Sequence, residues 1–322
     1  MNVARSLLLL LVSFQITAVF AVDPISEQKA YIEHRGAFTL PRTSTYDITS
    51  HAGRVYRIFI AEPEGAAPPA GFPVIYVLDA NSCFGTIVEA HRIQSRRGSE
   101  IGATPAVIVG LGYPTEGTYD QTRRTFDLTP TADIKKLPPR RNNDAWPPTG
   151  GANEFFTFLQ DVVKPHVAST IPIDSQRQSI FGHSFGGLFV LHTMFHHPDS
   201  FQNYIAASPS AWWNDYMPGV EAAEFIKQKL PLKQPIKLLI TVGELETGSG
   251  PAFMLPKTPN QQNCGTPQKI AEILSQQPEQ GFSVQFKIFA GENHGSVIPH
   301  ALNEALLFSF SRPSDGKPPT VN

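Results

Sequence analysis

Cysteine is scarce: Cys83 and Cys264 are the only two in 322 residues. Neither stands in a C-x-x-C pair, and no H-E-x-x-H occurs. No zinc motif is therefore visible, and no metal or other cofactor is expected. Neither sign of charge is in excess. Lys and Arg number 26 against 28 Asp and Glu, a net charge of −2, so bulk charge gives no reason to expect a nucleic acid partner. Asn-x-Ser/Thr sequons, internal repeats and low-complexity tracts are all missing. Only the N-terminus carries a mainly apolar stretch long enough to suggest targeting, from Ser6 to Phe20 behind Met1-Asn2-Val3-Ala4-Arg5. That stretch is shorter than the ~20 residues a spanning helix needs. Val19-Phe20-Ala21 supplies small residues for cleavage after Ala21. Residues 1–21 thus read as a signal peptide, with an uncleaved anchor as the alternative. Cleavage leaves an exported protein, periplasmic or secreted, without membrane attachment. In such a compartment Cys83 and Cys264 permit one disulfide, and two unpaired buried thiols are the other possibility.

Hydrophobic residues make up 41% of the chain, enough for 22–322 to bury one large core as a single domain. Proline (29) and glycine (24) are plentiful, and between the turns they mark, strand-like runs alternate with helix-like ones. Strands are expected over 54–61, 72–78, 105–111, at Ile180-Phe181, and over 204–207, 236–242 and 282–289. Helices are expected over 84–97, 154–167, after Gly187, and over 222–230, 268–276 and 297–310. Residues 22–50 read as a strand or arm leading into the sheet. The alternation predicts an α/β fold, a mostly parallel sheet with helices on both faces. Such sheets place their sites beyond the carboxyl ends of the strands. Residues 112–151 show no sustained period and read as an excursion over that end, the kind of long loop that often binds a ligand.

Gly182-His183-Ser184-Phe185-Gly186-Gly187 follows an apolar run and precedes a helical one. G-x-S-x-G between strand and helix is a nucleophile elbow, in which a sharp turn lifts the serine hydroxyl clear of the sheet. A side chain at 182 or 186 is expected to collide with neighbouring backbone. A serine hydroxyl is a weak nucleophile and needs a base that is itself oriented by an acid. In this fold the chain order is Ser, acid, His. His294 lies just past the last strand, between glycines, where the base belongs. His183 is pinned inside the elbow and is expected to point elsewhere. After the seventh strand come Glu244 and Glu246. Glu246 is preferred because it sits farther into the loop, with Glu244, Glu292 or no strong acid as alternatives. The oxyanion donors are expected to be the Phe185 N–H and one of the amides of Ala80 and Asn81, after the third strand.

Several stretches together resemble the esterase D-like branch of the α/β-hydrolases. They are Val74–Asp79, Arg123–Thr129, Gly150-Gly151-Ala152 with Phe155, Gly182–Gly187, Ala207–Trp213, Val242–Glu246 and His294–Val297. Within that branch the chain is similar to the periplasmic siderophore trilactone esterases of the IroE, Fes and BesA kind. The resemblance implies Ser184 as nucleophile, His294 as base, Arg124 as a substrate-binding arginine and Trp213 as an aromatic of the pocket. The chain departs from the pattern at Ala80, where members of the branch often carry glycine. The resemblance also implies a small-molecule ester substrate, such as a ferric tricatecholate trilactone. Arg123, Arg124, Lys135, Lys136, Arg140 and Arg141 are candidates to meet its charge, and Trp146, Trp212 and Trp213 to meet its rings. A general carboxylesterase, an acyltransferase using the same serine and a non-catalytic binding protein remain open.

Overall fold

The computed structural model describes residues 36–96, 103–228, 232–246, 258–276 and 281–311. The expected signal peptide at 1–21 lies outside the described residues. Leu40–Asn322 forms one compact unit; of the other unit, Met1–Thr39, only residues 36–39 are described.

Among the described residues, eight strands build one sheet: β1 (Thr43–Thr49), β2 (Val55–Ala61), β3 (Phe72–Leu78), β4 (Val107–Gly112), β5 (Ile173–His183), β6 (Asn203–Ala207), β7 (Ile236–Gly243) and β8 (Phe282–Phe289). Their order across the sheet is β1-β2-β4-β3-β5-β6-β7-β8. The β1–β2 and β2–β4 pairs are antiparallel, and every pair from β4 to β8 is parallel. The sheet is thus mostly parallel, as the alternating pattern predicts. Every residue of β3 and β4 is buried, because helices cover both faces and leave neither wet. Successive side chains of β3 enter opposite cores. Val74, Tyr76 and Leu78 join the cluster that includes Phe189 and Met194, while Ile75 and Val77 join the one that includes Ile87, Leu302 and Leu306. The period of two along a strand produces this division.

The helices are α1 (Ala80–Ser95), α2 (Gln121–Asp127), α3 (Ala152–Phe158), α4 (Lys164–Thr170), α5 (Phe185–His196), α6 (Trp213–Gln228), α7 (Pro259–Cys264), α8 (Pro267–Leu274) and α9 (Val297–Phe310). The single helix expected over 154–167 is one helical run from Ala152 to Thr170, with a wider π turn at Leu159–Val163. Pro165 comes two residues after it. It has no N–H to give the preceding turn, and the wider turn accommodates that loss. The helix expected from 222 begins at Trp213, through a left-handed turn at Asn214, Asp215 and Tyr216. The excursion is less irregular than its sequence suggests. It contains α2, whose first turn is capped by Asp120 accepting from the Arg123 N–H at 3.0 Å, and it buries Leu128, Thr129 and Leu137. Cys83 lies inside α1 and Cys264 at the end of α7; both are buried and unpaired. Burial pushes the Cys83 thiol up to about 12, which leaves it unreactive at neutral pH.

Candidate active site

Four neighbouring strands deliver the site. Ser184 follows β5, Ser208 follows β6, Glu246 follows β7 and His294 follows β8. Strands lie ~4.8 Å apart, so the end of β8 is roughly 14 Å from that of β5. The His294 loop must therefore lean back across the sheet. It does so as a tied turn. Asn293 Oδ1 accepts from the N–H groups of Gly295 and Ser296 at 2.9 and 3.0 Å, and the Ser296 hydroxyl accepts from the Asn293 N–H at 3.0 Å. The loop is also bonded to the one after β7. The Leu245 N–H donates to the Glu292 carbonyl at 2.9 Å, and the Gly291 N–H donates to Glu244 Oε2 at 2.8 Å.

This placement brings three of the expected residues into one hydrogen-bonded line. His294 Nε2 lies 3.1 Å from Ser184 Oγ, and His294 Nδ1 lies 2.6 Å from Glu246 Oε2. The other Glu246 oxygen accepts from the Ser208 hydroxyl at 2.6 Å and the Gly243 N–H at 2.7 Å. Burial raises the Glu246 pKa, but the bonds from His294, Ser208 and Gly243 outweigh it and hold the carboxyl below its ordinary value. Glu246 is therefore an anion facing Nδ1–H, which leaves Nε2 free to accept the Ser184 proton. The two rival acids are placed otherwise. Glu244 holds the Gly291 amide, and Glu292 stands 3.7 Å from His300.

The elbow is strained where it must be. Ser184 has φ 60° and ψ −114°, a conformation that costs on the order of 1–3 kcal/mol and needs support from its surroundings. The expectation of crowding at 182 and 186 is half right. A Cβ on Gly182 would sit 2.2 Å from the Gly186 carbonyl oxygen, whereas one on Gly186 would meet nothing closer than 3.5 Å. The second crowded position is Gly187, 2.9 Å from the Ala207 carbonyl oxygen, because α5 packs against the turn after β6. Phe185 opens α5, and Ala80 and Asn81 open α1. Because β3 and β5 pair in parallel, the two helix N-termini stand side by side. Both offer amides without intrahelical partners. The Asn81 side chain is occupied elsewhere, bridging to the backbone of Tyr113 and Thr115.

Two expected binding residues stand elsewhere than foreseen. Arg124 is buried, and its Nε and Nη2 donate to the two Asp79 oxygens at 2.9 and 2.7 Å. It clamps the residue just before Ala80 and does not present itself to solvent. Trp213 is fully buried and donates to the Pro130 carbonyl at 3.2 Å, so it has no open face for a ligand. Burial of this kind is not legible in a motif. Partly exposed aromatic surface comes instead from Phe185, Trp146 and Trp212, whose ring centroids are 6.1 to 6.5 Å apart. Arg140 lies over Trp146, 5.7 Å from its centre. Lys135 and Lys136 are exposed, whereas Arg123 turns inward over Tyr56 and Tyr113.

The family model described as "Putative esterase" matches residues 49–295. The chain belongs to this esterase family. It is 43% identical over 275 residues to the ferri-bacillibactin esterase BesA of Bacillus subtilis (strain 168), covering 85% of this chain and 91% of BesA. It is 32% identical over 276 residues to the siderophore enterobactin esterase of Emericella nidulans, covering 79% and 88%. Among solved structures, the BES protein from Bacillus cereus superposes with a TM-score of 0.76 at 36% identity, over 87% of this chain and all of that one. The fold is that of the α/β-hydrolase esterases.

Three residues of this esterase's site escaped sequence reasoning. Ser208, with φ 43°, holds Glu246; the left-handed turn that aims it leaves no mark in Ala207-Ser208-Pro209. Asp79 partners Arg124 across 45 residues. His183, expected to point away, packs its ring 4.6 Å from that of His294. Burial, reinforced by His294, pushes the His183 pKa down to about 3, so the ring is neutral beside the His294 imidazole.

Proposed function

We propose that this esterase hydrolyses the ester bonds of a siderophore through an acyl-enzyme on Ser184. The observation that carries the reading is the continuous Ser184–His294–Glu246 line at 3.1 and 2.6 Å. Ser184 Oγ attacks the ester carbonyl while His294 Nε2 takes its proton. Glu246 steadies the imidazolium through a short charge-assisted bond. The Phe185 amide, with that of Ala80 or Asn81, receives the developing oxyanion, each donor worth about 3–4 kcal/mol of barrier. Collapse of the tetrahedral intermediate breaks the ester C–O bond, and His294 protonates the departing alcohol. Water, deprotonated by His294, then releases the acid and restores Ser184.

The substrate class rests on the relatives. Siderophore esters are the substrates named for BesA, for the Emericella nidulans enzyme, and for the triacetylfusarinine C esterase of Aspergillus fumigatus, 34% identical over 217 residues. The open aromatic surface of Trp146, Trp212 and Phe185, with Arg140 over it, suits a ligand that is both aromatic and anionic. The apolar run from Ser6 to Phe20 behind Arg5 supports export, and among the described residues no helix is long and apolar enough to cross a membrane. The deciding experiment is kcat/KM on ferric and iron-free siderophores beside short aryl esters, with products identified by mass spectrometry. Preference for a siderophore, opened to its linear acid, is expected. Preference for the simple esters would make the protein a general carboxylesterase.

A further inference from the structure

Away from the catalytic line, α5 and α6 bring two imidazoles and a carboxylate together. His192 and His196 are four residues apart on α5, so they share a face one turn apart. Their ring centroids are 4.3 Å apart. Glu221 reaches them from α6, with Oε1 3.1 Å from His196 Nε2. One donor atom from each of the three lies within 4.8 Å of the others. Ligand atoms ~2.0–2.1 Å from a tetrahedral zinc ion stand roughly 3.3 Å apart, so the His196–Glu221 spacing already suits a shared ion.

The surroundings of His192 point the same way. Its Nε2 lies 3.0 Å from Asn153 Oδ1 on α3, and that oxygen can only accept. The ring proton therefore sits on Nε2 and leaves Nδ1 as the bare lone pair. Nδ1 is buried and has no hydrogen-bond partner among the described residues, on a residue only 8% exposed. Metal-bound histidines have this arrangement, with the far N–H held by an oxygen that fixes the tautomer.

The geometry points to a divalent transition-metal site formed by His192, His196 and Glu221. Two imidazoles and one carboxylate suit zinc and its neighbours better than magnesium or calcium, which prefer all-oxygen shells. The two histidines lie seven and eleven residues along α5 from Phe185, roughly 10 and 16 Å at 1.5 Å per residue. The ion is thus remote from the reacting carbonyl, and its role is to tie α5 to α6. Sequence spacing conceals the site because the third donor arrives on the next helix, 25 residues after His196.

The test uses tag-free full-length protein stripped with a chelator. A His294→Ala background removes the catalytic imidazole as a competing ligand. Calorimetric titration with Zn2+ is expected to show one saturable equivalent, and Co2+ the intense visible bands of a low-coordinate ion. His196→Ala and Glu221→Gln, each added to that background, are expected to weaken Zn2+ binding by at least about tenfold. Melting temperatures without metal, matched to the background, check that both variants fold. No saturable Zn2+ binding in the background, or binding unchanged by either substitution, would overturn the site.

Discussion

At the scale of single residues, the proposed catalytic line Ser184–His294–Glu246 separates chemistry from support. Glu246→Gln keeps the shape but replaces the anion that faces His294 Nδ1–H and raises the cost of forming an imidazolium. Its kcat is expected to fall by about 10³- to 10⁴-fold with KM little changed. Ser208→Ala removes one of the three donors to Glu246, so the acid loses a tether and keeps its charge. A fall of about tenfold in kcat is expected, and steady-state kinetics on one ester substrate ranks the two variants. A Ser208→Ala loss as large as that of Glu246→Gln would mean that the hydroxyl takes part in the chemistry. The proposed nucleophile and base, Ser184 and His294, could be singled out in the sequence because chain order and position after a strand mark them, and the structure brings them within 3.1 Å of each other. Glu246 was preferred on reach alone, and its geometry depends on Gly243, where a Cβ would lie 2.3 Å from the Glu292 carbonyl oxygen.

At the scale of elements, the excursion and the sheet meet through the Arg124–Asp79 pair. α2 carries the arginine, and the aspartate sits between β3 and α1 with φ 54°. Breaking one partner of a buried pair leaves an uncompensated charge and costs on the order of 3–5 kcal/mol. Arg124→Ala is therefore expected to lower the melting temperature by several degrees or more. It is also expected to lower kcat, because the Ala80 amide follows directly on Asp79. A rise in KM alone, with stability unchanged, would assign Arg124 to substrate binding instead. The resemblance to known esterases identified the arginine; its partner was invisible because the pair spans 45 residues and closes only in the fold. The buried strands β3, β4 and β7 were legible as apolar runs. The polar helix α2 was not, because its burial is local and its signal is a single cap at Asp120.

At the scale of the whole molecule, burial of neutral histidines sets the response to acid. His183 is lowered to about 3 from 6.5, and burial lowers His91 too, against a hydrogen bond to the Thr104 carbonyl that raises it. Between pH 6.5 and 3 the unfolded chain binds a proton at His183 that the folded chain refuses. That group's contribution thus falls by about 1.4 kcal/mol per pH unit as pH drops. Asp127 works in the opposite sense. Burial, partly offset by Arg123, raises it to about 6 from 3.8, so the folded chain gains a proton first in that window. Thermal melts are expected to show stability declining from pH 6.5 downward, and more steeply in Asp127→Asn, which lacks the opposing group. A melting temperature that rises between pH 6.5 and 4 would contradict this assignment. The most direct test of the account as a whole is to quench turnover of a trilactone siderophore and map the acyl adduct by peptide mass spectrometry. The account predicts the opened siderophore acid on Ser184, and neither adduct nor hydrolysis in Ser184→Ala. Hydrolysis that persists in Ser184→Ala, or an adduct on another residue, would contradict it.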